Sequence, residues 1–224
     1  MATDMEQMQL TMGCGHVLYL CGYDGVSQIA KEMAKEYGMQ NEIMVPPNHP
    51  QAKYNSPATV ELMMQSNQAI SKAGQTLGRN VPTHFYTFSL LQRNYHIARK
   101  AHTIFAFGIL NRNQKEVKGG TGWTIQMAMD QGKEVFVFDL FTQRWFRADT
   151  TYNEDPATNL LKLETKVLPF GSSKLPTLHQ STAVIGPCFI SKETQEEVKN
   201  LFHGTFCTPE NIEEVGKELE ALQL

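Results

Sequence analysis

Apolar residues along this chain keep two rhythms. From His16 to Gly22 (HVLYLCG) they run almost unbroken and stop at glycine, which predicts a buried strand. From Val26 to Gly38 they fall three and four apart, at Val26, Ile29, Ala30, Met33, Ala34 and Tyr37. That spacing predicts an amphipathic helix, with Gly38 as its C-terminal cap. EIMVPP predicts a second strand halted by Pro46 and Pro47. After the polar loop NHPQAKYNSP, Ser56 as N-cap and Pro57 at the first helical position predict a helix reaching Gly74. NVPTHF is a break. A helix from Ser89 to Ala101, a strand from His102 to Leu110, a helix from Trp123 to Gln131 and the strand EVFVFDL follow.

Beyond that the rhythm weakens. Residues 142–170 predict only short strands and turns. STAVIGP predicts one more strand, SKETQEEVKNLFHG a helix opened by Ser191, and PENIEEVGKELEALQL a surface helix. Neither an internal repeat nor a low-complexity segment is present. Alternating strands and helices predict an α/β fold, a mostly parallel sheet with helices on both faces. Residues 1–14, polar and Met-rich, read as a flexible tail, and residues 15–224 as a single ligand-binding domain.

Composition narrows the functional classes. The chain has 224 residues, 41% of them hydrophobic and 19% charged, enough apolar mass for one large core. A net charge of −3 without a basic run argues against a nucleic-acid binder, which needs clustered positive charge. No apolar stretch approaches the roughly 18 residues of a membrane span. The N-terminus lacks the basic-then-apolar layout of a secretory signal. Cys14, Cys21, Cys188 and Cys207 show no CxxC spacing, so a zinc knuckle is not expected, and Cys21 reads as a buried reduced thiol. A cytoplasmic setting fits. The seven histidines form no ligand pair, and no metal is expected. His96 reads as a helix-surface residue and His102 as a strand-edge residue. Met33, Met63, Met64, Met127 and Met129 read as core filling.

In such sheets ligands bind at the carboxyl ends of the strands. Two glycine-bearing loops are predicted there: Gly22-Tyr23-Asp24-Gly25 and Lys118 to Gly122. In the second, Gly119, Gly120, Thr121 and Gly122 directly precede a helix. Unpaired amides and the helix dipole make such a turn a phosphate cradle, with Thr121 adding a hydroxyl and Lys118 a cation. The same glycines also suit a tight strand-to-helix connection. The loop is neither a Walker A motif nor the dinucleotide Gly-x-Gly-x-x-Gly. Tyr23 and Trp123 flank the two loops and are candidates for stacking on a base or pterin; Trp123 equally suits the first core position of its helix. Asp24 and Asp139 are candidates for a ribose contact or a catalytic acid, or for an Asx turn or helix cap. Arg144 and Arg147, in TQRWFRAD, are candidates for a second phosphate, or for solvated surface or a dimer interface.

Three segments carry a resemblance: CGYDGVSQIAKEMAKEYGM, RNYHIARKAHTIFAFGIL and KGGTGWTIQMAMDQGKEVFVFDL. Together they resemble landmarks of the SLOG superfamily, the Rossmann-like group that includes molybdenum-cofactor carrier-like proteins and the lonely-guy nucleotide phosphoribohydrolases. The resemblance covers roughly residues 15–140, with a poorly matched middle; Ser27 stands where the carriers usually have an acid. It implies a Rossmann-like sheet, phosphate on the Gly-Gly-Thr loop, a nucleotide or molybdopterin-type ligand, and a homodimer. In the hydrolases the motif is Pro-Gly-Gly-x-Gly-Thr-x-x-Glu, assisted by an upstream arginine. Aligning the glycines sets Lys118 at the proline, Trp123 at the threonine and neutral Gln126 at the catalytic glutamate; Arg93 matches the arginine. The expectation is therefore a binder of a phosphorylated nucleotide-like or pterin-like molecule, a carrier or sensor. The alternative is an N-glycosidic hydrolase acting on nucleotides or ADP-ribose derivatives, with Asp24 or Asp139 as acid beside Arg93.

Overall fold

The computed structural model describes residues 15–22, 24–46, 57–111, 116–154, 161–169 and 176–207. The strands are β1 (Val17–Leu20), β2 (Gln40–Ile43), β3 (Thr103–Gly108), β4 (Glu134–Asp139), β5 (Arg144–Glu154), β6 (Leu161–Pro169) and β7 (Ser181–Ile185). The helices are α1 (Val26–Glu36), α2 (Pro57–Leu77), α3 (Phe85–Lys100), α4 (Gly119–Met129) and α5 (Lys192–Phe206). The strands form one seven-stranded sheet in the order β2-β1-β7-β3-β4-β5-β6. β2, β1, β7, β3 and β4 run parallel, while β5 and β6 add an antiparallel hairpin. The fold is Rossmann-like α/β.

Central strands here must be apolar on both faces, and they are. All six residues of β3 are buried. Ile104 and Ala106 enter a core shared with α2, α3 and α4, and Phe105 and Phe107 enter the opposite core, with α1 and α5. Each large apolar side chain buried this way contributes about 1.5–3 kcal/mol. Among the described helices none is long and apolar enough to cross a membrane.

From the middle of the sheet the chain leaves in two directions. β1 leads through α1 to β2 on one side, and β3 leads through α4 to β4 on the other. The two helices lie on opposite faces, as crossovers of one hand require. The strand order therefore reverses around β1, β7 and β3, which opens a crevice at their carboxyl ends.

Helix ends follow local chemistry. Ser191 caps α5, its hydroxyl accepting from the Thr194 amide, as predicted. Gly38, with φ +69°, ends α1. There the Met39 amide reaches the Ala34 carbonyl and the Gly38 amide reaches Lys35, a Schellman motif. Gly74, expected to end α2, lies inside it. The true stop is Gly78, with φ +61°, closed by bonds from Arg79 to Gly74 and from Gly78 to Gln75. A Cβ on Gly74 would sit 3.0 Å from the Trp123 ring, so this glycine makes room for that indole.

Five further expectations need correction. β2 begins at Gln40, because as an edge strand it is set by pairing with β1 and every one of its residues is exposed. α3 begins at Phe85, four residues ahead of Ser89, after extended His84. Where short strands were expected, β5 and β6 are two long strands paired antiparallel. Met33, Met127 and Met129 are buried, but Met64 is 60% exposed on α2. His96 is half-buried rather than on the surface. The tail at residues 1–14 and the expected C-terminal helix after Cys207 lie outside the described residues.

Candidate functional site

The crevice holds a cavity of about 540 Å³. Its walls come from the ends of β1, β7, β3 and β4, from α3, and from the first turn of α4. That size and position are typical of a small-molecule site.

The glycines of the second loop are inside the helix, not ahead of it. α4 starts at Gly119, and extended Lys118 is its N-cap, with no side chain capping the turn. Gly119 has φ +71°, a conformation costly for any other residue. A Cβ on Gly119 or Gly120 would meet nothing within 4 Å, so space lies open before these residues. Gly122 is different: its Cβ would fall 1.9 Å from the Val117 carbonyl oxygen. It serves close packing, while Gly119 and Gly120 serve access. Lys118, Thr121 and Thr124 also line the cavity, and the Thr124 hydroxyl donates to the Gly120 carbonyl.

The chain reaches this turn by a short excursion after β3. Leu110 pairs with Val117, the Asn111 amide donates to Glu116, and the Lys118 amide donates to Ile109. Arg79 clamps the returning strand. Its guanidinium donates to the carbonyls of Val117 (3.0 Å) and Gly119 (3.2 Å) and to the Glu116 carboxylate (2.7 Å). The Schellman turn at Gly78 delivers this side chain, and no sequence motif marked it.

Arg93 lines the cavity from α3 and is only 5% exposed. Asn94 accepts from its Nε and Nη2, at 3.1 and 2.8 Å, and the Cys21 carbonyl accepts from Nη1 at 3.3 Å. This fixes a guanidinium at the carboxyl end of β1. The lining thus carries the cations Arg93 and Lys118, and none of the described lining residues is acidic.

Other expected site residues lie elsewhere. Gly22 has φ +71°, and its Cβ would meet the Ile43 side chain at 2.5 Å; it does not line the cavity. Gly25 packs against the β7–α5 connection, where its Cβ would fall 2.4 Å from the carbonyl oxygens of Pro187 and Cys188. The Val26 amide at the start of α1 already donates to Pro187 at 3.3 Å. Gly22 and Gly25 thus do not line the cavity; Gly186, Pro187 and Cys188 supply that wall. Asp24 is exposed and outside the lining, and Tyr23 lies outside the described residues.

Trp123 is 6% exposed in the core with α2, so its ring does not face the cavity. Asp139 is 3% exposed and fully engaged. Its carboxylate accepts from the amides of Leu110, Phe141 and Thr142 and from the Thr142 hydroxyl, at 3.0, 3.4, 3.0 and 2.7 Å. Burial alone would raise its pKa; these bonds more than offset that and hold it below the ordinary carboxylate value. Asp139 pins the excursion after β3 to the β4–β5 turn; it lines an adjoining cavity of about 400 Å³ that shares Ile109 and Lys118 with the first, with its oxygens already held by these four bonds. Gln126 is buried and donates to Asp130 at 3.0 Å, outside the lining. Arg147 pairs with Glu134 at 3.3 Å on the surface.

Cys21 is half-buried, with its sulfur 2.7 Å from the Ser27 hydroxyl, and both Cys21 and Cys188 line the cavity. Among the described residues no cluster of three metal-ligating side chains exists. These features define a Rossmann-like α/β protein with a cationic, uncapped helix terminus opening into a cavity at its switch point. Searches of the chain against family models, curated proteins and solved structures found no match.

Proposed function

We propose that this protein binds a phosphorylated small molecule, as a carrier or sensor. The observation that carries this reading is the first turn of α4. Gly119 and Gly120 are open to the cavity and no side chain caps the turn. An anion placed there meets amide donors and the positive end of the helix. Arg93 and Lys118 supply opposite charge from the same lining, with Thr121 as a further donor.

Binding stands ahead of N-glycosidic hydrolysis. That reaction needs a carboxylate beside the developing sugar cation. Asp24 lies outside the lining, Asp139 reaches only the adjoining cavity with its carboxylate already accepting four bonds, and Gln126 is neutral and turned to Asp130. The resemblance to the SLOG superfamily rests on the three sequence segments and supports the same placement of phosphate.

The test is thermal unfolding with inorganic phosphate, pyrophosphate and nucleoside monophosphates. A ligand at a hundredfold excess over its Kd stabilises by about 2.7 kcal/mol. Gly120→Asp places a carboxylate in the cradle and should abolish the shift. If none of these phosphates moves the melting temperature of the native chain, the reading fails.

A further inference from the structure

The lining divides unevenly between a polar end and a long apolar wall. Arg93, Lys118 and the Gly119–Thr121 turn make the polar end. The wall is formed by Leu90, Ile109, Leu140, Ile185, Pro187 and Cys188. Leu90 and Leu140 are half-buried and Ile109 is 46% exposed, so their surfaces are available. Two elements of nucleotide recognition are missing among the described lining residues. The one aromatic residue there, Phe107, is wholly buried and packs against Phe138 and Trp145. No carboxylate lines the cavity to take ribose hydroxyls, and Asp139 in the adjoining cavity already accepts four bonds. A nucleotide's sugar laid along this wall would meet leucine and isoleucine, with the uncharged Thr87 and Asn94 of α3 in place of a carboxylate, a poorer match than an aliphatic chain.

We infer that the ligand is an amphipathic phosphate: a phosphate or diphosphate ester of an aliphatic alcohol, taken up singly from solution. This rests on the phosphate site proposed above and names the chemistry of the rest of the molecule. The head sits on the α4 turn, and the carbon chain lies along Leu90, Ile109 and Leu140.

The test is calorimetric titration of the native chain with inorganic phosphate, ethyl, butyl and hexyl phosphate, and adenosine monophosphate. Each methylene buried should tighten binding about fourfold, so hexyl should exceed ethyl phosphate on the order of a hundredfold. Hexyl phosphate should also bind more tightly than adenosine monophosphate. Leu90→Gln should flatten the chain-length dependence, whereas Lys118→Ala should weaken all the esters by a similar factor. Bound hexyl phosphate should slow alkylation of Cys188 at the cavity wall, read by peptide mass spectrometry, and leave Cys207 unaffected. A flat alkyl series, or tighter binding of adenosine monophosphate, overturns this inference and leaves the phosphate site standing. Failure of every phosphate to bind the folded chain overturns both. Stronger retention on phosphatidate vesicles than on hexyl phosphate would assign the site to a bilayer headgroup and overturn uptake of a single soluble molecule.

Discussion

Two turns in this molecule look alike on paper. Each lies at the carboxyl end of a parallel strand, contains two or more glycines and leads into a helix. At Gly22–Gly25 the glycines meet neighbours: the Ile43 side chain and the carbonyls of Pro187 and Cys188. At Gly119 and Gly120 they face open space. A missing side chain thus has two physical uses, close packing and access, and only surroundings contributed from far along the chain decide between them. The second turn even mixes the two, since Gly122 packs as tightly as Gly25.

Alanine substitutions should separate these uses. Gly25→Ala adds a Cβ 2.4 Å from two carbonyl oxygens at a residue with φ +71°. It should cost about 3 kcal/mol or more in urea denaturation. Gly122→Ala should approach that cost, because its Cβ meets the Val117 carbonyl. Asp139→Asn comes next, at about 2 kcal/mol, because a buried acceptor of four bonds is weakened. Its pH dependence gives a sharper check. The folded pKa lies below the ordinary 3.8, so the stabilisation is complete above 3.8 and drains away as pH falls through the folded value. The variant should lose that part of the acid limb of a stability–pH curve.

Arg79→Ala should cost about 1 kcal/mol, since the group is only half-buried and water replaces part of the clamp. It should weaken phosphate binding about tenfold by loosening the turn that Val117 and Gly119 anchor, as calorimetry would show. The smallest change in stability belongs to Gly120→Ala, within about 0.5 kcal/mol. The same variant should lose phosphate affinity by tenfold or more. Equal losses of stability at Gly25 and Gly120 would erase the distinction between the two turns.

What the sequence revealed follows the range of the forces involved. α1, with Gly38, and α5, with Ser191, were legible because period and cap are written within a few neighbouring residues. β3 was legible as an apolar run. The β5–β6 hairpin was not, because RWFRADTTYNE lacks a strong alternation and its register is set by a partner strand. Gly119, Gly120, Thr121, Lys118 and Arg93 were singled out from local chemistry, and all five line the cavity. For Trp123 local chemistry left stacking and core packing both open; only the space at Gly74, far along the chain, decides for the core. Arg79 was missed because it reaches across about 40 residues to a backbone carbonyl, which leaves no trace in any short window.

The central position of β7 bears on how the protein comes into being. This strand is the latest to be synthesised of the seven described, yet it lies between β1 and β3. Until it arrives, those two strands present unpaired edges to each other across a gap, and Gly186 and Pro187 are absent from the cavity. A nascent chain that has already made the first turn of α4 still lacks one wall of the cavity. The complete cavity thus arrives late, after a pairing across more than 160 residues between Val17 and Ser181, and such distant closure is slow.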